Sequence, residues 1–284
     1  MVETMRVWLV TNEKSGSNDP ARLDSLRRSF AANGLDMVGE THFPAEMPPP
    51  PAALDQKAVD IVAIFAGDGT LNAVISDLAG WGGAVLALPG GTMNLLYHRL
   101  FGDLDTDEAI RRAAAGSLVR RRPGTISCAA GIGYAGLLAG PATAWYDVRE
   151  ALRDADFARL AESAERALEE SFHGEYVRCE APALGRREGY PMLVLGPRDD
   201  GIEVTAYHAE NAAEVLEQVA AILRRNFRSG PHDRLGHVAA LRMASVRGDP
   251  FGILLDGEEA QAGPVEDFTL VPAPVDLLAS VTYD

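Results

Sequence analysis

Residues 61–72 read IVAIFAGDGTLN: six apolar residues run straight into Gly67-Asp68-Gly69-Thr70. An uninterrupted apolar run of this length, opening two residues earlier as VDIVAIFA (59–66), predicts a strand buried on both faces, as in a parallel sheet. The TLNAVISDLAG that follows places Leu71, Val74, Ile75 and Leu78 at helical spacing, with Gly80 as terminator. A carboxylate between two glycines favours neither element. It calls for an exposed backbone and one acid at the end of the strand.

Working outward, the first 120 residues repeat this strand–helix alternation. MRVWLVT (5–11) is a short run rich in β-formers, and GAVLALP (83–89) is another. Between the first two strands lies SNDPARLDSLRRSFAANG, a helix with Asn18 or Asp19 as cap, Pro20 in its first turn, Gly34 beyond its end, and Leu23, Leu26 and Phe30 on one face. TMNLLYHRLFG and DTDEAIRRAAAG read as helices, and the proline-dense FPAEMPPPPAA (43–53) as loop. The pattern predicts an α/β N-terminal domain over residues 1–122 with a doubly wound, mostly parallel sheet.

Past RRRPG (120–124) the pattern changes. Short β-like runs, EYVRCE, PMLVLG, IEVTAY, VAALRMASV, FGILLDGE and DFTLVP, are separated by Gly, Pro and Asp turns. They predict a mainly antiparallel, β-sandwich-like C-terminal domain over 123–284, with added helices at 147–171 and 212–226. The final run PVDLLASV (274–281) is strand-like and open to either domain.

Composition limits the partners. Of 284 residues, 26 are Lys or Arg and 41 are Asp or Glu, a net charge of −15. Nucleic acid is therefore not an expected partner, since phosphate contacts need a basic stripe. Cys128 and Cys179 are the only cysteines, too few for a disulfide framework, and point to a reducing, cytoplasmic setting. MVETMRVWLV lacks the features of an export signal. GTISCAAGIGYAGLLAGPATAW (124–145) is uncharged, but its Gly, Ala, Ser and Thr content and Pro141 favour strand and loops over a membrane span.

Three glycine-bearing loops follow predicted strands: TNEKSGS (11–17), AGDGTLN (66–72) and LPGGTMN (88–94). In a doubly wound sheet, ligands bind outside the carboxyl ends of the strands. Glycines there admit backbone N–H groups to a ligand, and helix N-termini favour negative charge. Each loop alone is also explained as a tight turn; together they predict a phosphate-binding rim. Asp68 beside such glycines needs a metal or a proton to serve. The alternative is a cap on the helix opening at Thr70, for which two flanking glycines are unnecessary.

These motifs resemble the diacylglycerol kinase catalytic domain family, which includes bacterial lipid kinases and sphingosine kinases. Asn12-Glu13-Lys14-Ser15-Gly16 resembles its N-P-x-S-G, and Ala66-Gly67-Asp68-Gly69-Thr70 its G-G-D-G-T. Pro89-Gly90-Gly91-Thr92-Met93-Asn94 resembles P-x-G-T-x-N, and Asp256-Gly257-Glu258 the late D-G-E. The resemblance implies ATP and Mg²⁺ bound between the two domains and transfer of the γ-phosphoryl group to a lipid hydroxyl. Carried over by position, Asn12, Ser15, Gly16, Gly67, Gly69, Thr70, Gly91, Thr92 and Asn94 would hold nucleotide. Asp68 would act as base or Mg²⁺ organiser, with Glu258 completing the site. LGPRDDGIEV (195–204) resembles a shortened metal loop, making Asp199 and Asp200 candidate ligands, with a solvated turn as the alternative.

The chain departs from the motifs at Glu13 and Ala66, at Leu95, where the third motif usually continues with Asp, and at Ala135, where an acid is common. A NAD kinase, which shares the G-D-G-T turn, and a non-catalytic lipid- or nucleotide-binding protein are the alternatives. GIGYAG (131–136) matches G-x-G-x-x-G but does not open the first βα unit. Arg120–Arg122 read as a solvated hinge or an anion contact, and the six histidines show no ligand spacing. The expected partner is a lipid alcohol, reached by weak peripheral contact at the inner membrane surface through the charge-free loops near 134–145.

Overall fold

The computed structural model describes residues 4–12, 20–141, 174–207 and 232–280. The chain forms two compact units, residues 1–123 with 272–284, and residues 124–271.

In the first unit β1 (Arg6–Asn12), α1 (Pro20–Ala32), β2 (Asp36–Phe43), α2 (Pro51–Gln56), β3 (Ile61–Ala66), α3 (Asp68–Asp77), β4 (Ala84–Pro89), α4 (Leu95–Phe101), α5 (Thr106–Ala114) and β5 (Val119–Arg121) follow one another. The β1–β2, β1–β3 and β3–β4 pairings are all parallel. Every residue of β3 is buried, as its apolar run requires. Leu23, Leu26 and Phe30 are the buried face of α1. That helix ends in paired turns, Gly34 N–H to Ala31 O and Leu35 N–H to Phe30 O, with Gly34 at φ 73°. This is the glycine C-cap that the sequence pattern predicts.

Two elements of this unit escape a reading by apolar pattern. DMVGETHF is too polar to read as a strand, yet it is the edge strand β2. It packs through Gly39, where an added Cβ would come within 2.2 Å of the Trp8 ring. The proline-dense loop expected over 43–53 holds over residues 44–50 and gives way at Pro51 to α2, because Pro51 sits in the first turn of a helix, where its missing N–H costs nothing.

The second unit holds β6 (Gly124–Cys128), β7 (Gly131–Gly133), β8 (Leu137–Ala139), β9 (Val177–Ala181), β10 (Met192–Pro197), β11 (Ile202–Tyr207), β12 (His232–Val238), β13 (Ala240–Ser245), β14 (Phe251–Leu255), β15 (Glu258–Ala262) and β16 (Val265–Pro272). They form two sheets, ordered β12-β11-β10-β8-β14-β15 and β7-β6-β16-β13-β9. One apolar cluster draws on both, with Leu193, Leu195, Val204 and Ile253 from the first and Ile126, Val177, Met243 and Phe268 from the second. This is the two-layer antiparallel sandwich expected of short alternating strands. HDRLGH, without an apolar pattern, is the edge strand β12. The added helices predicted at 147–171 and 212–226 lie outside the described residues.

The last strand, β17 (Asp276–Ala279), lies between β4 and β5, parallel to the first and antiparallel to the second. The second unit therefore closes at Val271, and the tail completes the first sheet. Arg120 and Arg122 hold it there. Both bond the Asp276 carboxylate, at 3.1 and 2.8 Å, and Arg120 also donates to the carbonyls of Gly82 and Gly83. The arginine run is thus strand and clamp rather than a solvated hinge. Within 124–145 the described residues form β6, β7 and β8, and among the described residues no helix is long and apolar enough to cross a membrane.

Candidate active site

The first sheet runs β2-β1-β3-β4. The chain leaves β1 in one direction to form β2 and returns on the other side to form β3. The carboxyl ends of β1 and β3 therefore flank a topological switch point, where open α/β sheets bind their ligands. The three glycine-bearing loops begin at this edge, after β1, β3 and β4.

Specific contacts join them. Asn12, the last residue of β1, donates its side-chain N–H to Thr70 Oγ1 at 2.8 Å, tying the first loop to the first turn of α3. The third loop rests on the second: Gly90 N–H bonds Ala66 O at 3.1 Å. A Cβ on Gly90 would lie 2.5 Å from Ala66 N, and one on Gly91 2.5 Å from Gly67 Cα. These glycines are required because two backbones touch. Ala66, in place of the motif's glycine, is buried at the end of β3 and is not among the positive-φ residues, so its methyl is accommodated.

Asn94 closes the third loop on itself. At φ 50° its Oδ1 accepts from Gly91 N–H at 2.7 Å and its Nδ2 donates to Gly91 O at 2.9 Å. Asn is among the residues that tolerate this conformation. Gly67 is the N-cap of α3 with extended backbone, Gly69 lies in its first turn, Thr70 is buried, and Thr92 is exposed.

Asp68 is the first helical residue of α3 and is 6% exposed. Its carboxylate turns to the next helix, where Oδ2 accepts from Leu95 N–H and Oδ1 from Leu96 N–H, each at 3.1 Å. Asp68 is thus a cap, but of α4 rather than of the helix in which it stands. It supplies the acceptors that Asn94, bent back onto Gly91, does not offer α4. At Leu95, where the resemblance leads one to expect an acid, the backbone N–H meets Asp68 instead.

Thr11 and His42 were not singled out by sequence. Thr11 Oγ1 and His42 Nδ1 are 3.1 Å apart, linking the carboxyl ends of β1 and β2 beside Asn12. Only strand pairing brings them together, since 31 residues separate them.

In the second unit, Glu258 is exposed and opens β15, after the Asp256-Gly257 turn. Asp199 accepts from Gly124 N–H at 3.3 Å, and Asp200, largely exposed, faces His237 Nε2 at 3.2 Å. Both belong to the β10–β11 turn, in the solvated setting that is the alternative to metal ligation. Among the described residues no three His, Cys, Asp or Glu side chains cluster as a metal site. Ser15 and Gly16 lie outside the described residues. Tyr134, Leu137 and Ala139 of the charge-free run are buried in the second unit.

Residues 6–126 match the family model of the diacylglycerol kinase catalytic domain, which bears out over that span the family read from the loop motifs. Among solved structures, similarity extends to a diacylglycerol kinase from Bacillus anthracis str. Sterne, with a TM-score of 0.62, 13% identity and all of both chains covered. Two further chains of that kinase class from the same strain give TM-scores of 0.63 and 0.64 at 14% identity, again over both whole chains. At such identity the likeness shows a shared two-domain fold. No curated protein matches this sequence.

Proposed function

We propose that this protein is an ATP- and Mg²⁺-dependent kinase that transfers the γ-phosphoryl group to the hydroxyl of a diacylglycerol-like or sphingoid-like lipid. The supporting observation is the joined rim at the β1/β3 switch point, within the segment that matches the kinase family: Asn12 bonded to Thr70, and Gly90-Gly91 resting on Ala66-Gly67.

The residues present fit a nucleotide. Gly67 brings no side chain to the N-terminus of α3, and Asp68 directs its charge to α4, so the opening of α3 suits a phosphate. Asn12, Gly67, Gly69, Thr70, Gly91, Thr92 and Asn94, together with Ser15 and Gly16, form the proposed nucleotide set. Mg²⁺ is usually held by one or two carboxylates plus phosphate oxygens. Asp68, the carboxylate at the opening of α3, is the proposed ligand. Bound Mg²⁺ would neutralise the charge of the transferred group. Glu258 is the proposed acceptor of the lipid hydroxyl's proton, a role that requires an approach to about 3 Å or one bridging water. The proposed weak membrane contact, through the loops near 134–145, rests within the described residues on Ala135, Gly136 and Leu138, the half-buried positions of 134–141.

The test is transfer of radiolabel from ATP, with Mg²⁺, to diacylglycerols, sphingoid bases and NAD, with Asp68→Asn run alongside. Label in a lipid, lost in the variant, is the expected result. Label in NAD alone, or in no acceptor, would overturn the lipid-kinase reading. Sedimentation with liposomes checks the membrane contact: no binding, with activity on micellar lipid intact, would sink it.

A further inference from the structure

Asp256 and Gly257 are the central residues of the β14–β15 hairpin, which the Leu255–Glu258 pair closes. Their φ values of 49° and 87° mark a turn with both central residues left-handed, where Asn-Gly and Asp-Gly are favoured. The turn alone would be served as well by Asn or Gly. This chain places there a carboxylate that is only 3% exposed, an expensive choice unless hydrogen bonds compensate it.

The compensation comes from three consecutive backbone donors. Oδ2 accepts from Tyr134 N–H at 2.7 Å, and Oδ1 from Ala135 N–H at 2.7 Å and Gly136 N–H at 2.8 Å. The backbone returns the link, Asp256 N–H donating to Gly136 O at 3.0 Å. β8 and β14 are antiparallel neighbours with Leu137 opposite Leu255, so these bonds extend that ladder by one residue and then cap it. The turn packs there too: a Cβ on Gly133 would meet Gly136 O at 3.2 Å and the Leu255 side chain at 3.4 Å.

We propose that Asp256 is a positioning residue for the phosphoryl transfer, locking the hairpin tip that carries Glu258 to the 134–136 turn so that the two form one rigid piece. This rests on the assignment of Glu258 as the proton acceptor. Asp256 holds its two oxygens against three N–H donors, and it is Glu258, two residues on, that faces solvent. Charge-assisted bonds are the strong class, and three on one buried side chain fix its position and that of its backbone. Sequence alone marks Asp256 only as part of a D-G-E motif. Its partners lie 120 to 122 residues earlier.

The experiment compares the wild type with Asp256→Asn, Glu258→Gln and the double variant, reading label transfer and native-state hydrogen exchange. Asn keeps the turn but turns an N–H toward a donor. Asp256→Gly also suits the positive φ and deletes the carboxylate outright, so it serves if Asn folds poorly. The expected result is faster exchange, by at least about tenfold, in 131–139 and 255–260 together, with β9 and β13 unchanged. Turnover should fall at least about tenfold while KM for ATP stays within about twofold, and the double variant should be no slower than Glu258→Gln. Loosening of one segment without the other, or effects that multiply in the double variant, would overturn the proposal. If the wild type labels no lipid, the kinase reading fails, while hydrogen exchange still decides whether Asp256 couples the two segments.

Discussion

Replacing Asp68 with Ala removes two contributions at once, and the structure sets the size of the first. The carboxylate is 6% exposed and accepts the N–H groups of Leu95 and Leu96 at 3.1 Å, opening α4. Losing an N-cap acceptor costs about 1 kcal/mol, up to about 2. A negative charge at a partly buried helix N-terminus adds up to about 2. The sum for Asp68→Ala is about 1–4 kcal/mol. At roughly 3 °C per kcal/mol for a unit of this size, the melting temperature should fall by about 3–12 °C. Asp68→Asn keeps one acceptor and should lose about half as much. Asp68→Ala therefore does not leave the stability of the first unit intact, and Asn is the better variant for isolating chemistry. Thermal melts of both, beside the label-transfer assay, separate the two roles. A melting temperature within about 1 °C of wild type in Asp68→Ala would refute the capping argument. Near-normal transfer in a well-folded Asp68→Asn would refute the catalytic one.

Three further outcomes follow from the same geometry. Gly91→Ala drives a Cβ to 2.5 Å from Gly67 Cα, a backbone contact that cannot yield. It should destabilise by about 1–3 kcal/mol and weaken ATP binding in titration calorimetry, and unchanged affinity would count against a rim built from these loops. Arg122 and Arg120 hold the Asp276 carboxyl below its usual range. Its contribution is therefore present above the unfolded value near about 4 and lost as the pH falls through the lower folded value. Urea melts should show Asp276→Asn about 1 kcal/mol less stable at pH 7 and equal to wild type near pH 2, since these arginines are half exposed. Burial pushes the Cys179 thiol up to about 12 and raises the half-buried Cys128 as well. A thiol reagent should label native Cys128 slowly and Cys179 more slowly still, and the reverse order would contradict the packing around β9.

Elements that bury a continuous face were readable from residue order alone. IVAIFA is a buried strand because each of its side chains is apolar, and Leu23, Leu26 and Phe30 mark a helix face because their spacing matches its period. Gly34 ends α1 because only a residue tolerant of positive φ makes that turn cheaply. β2 and β12, which no apolar pattern marks, are polar edge strands, whose pairing is decided by a neighbouring backbone rather than by their own residues.

The site divides in the same way. Sequence shows that loops able to admit backbone to a phosphate follow three strands. Parallel pairing brings those loops to one edge, and with them Asp68 to α4 and Thr11 to His42. Residue types and spacings record local propensity, so they specify elements, turns and motifs. A buried carboxylate, however, takes whichever donors the folded chain brings within 3 Å. For Asp256 those donors lie on a turn some 120 residues away, and only the tertiary structure decides that.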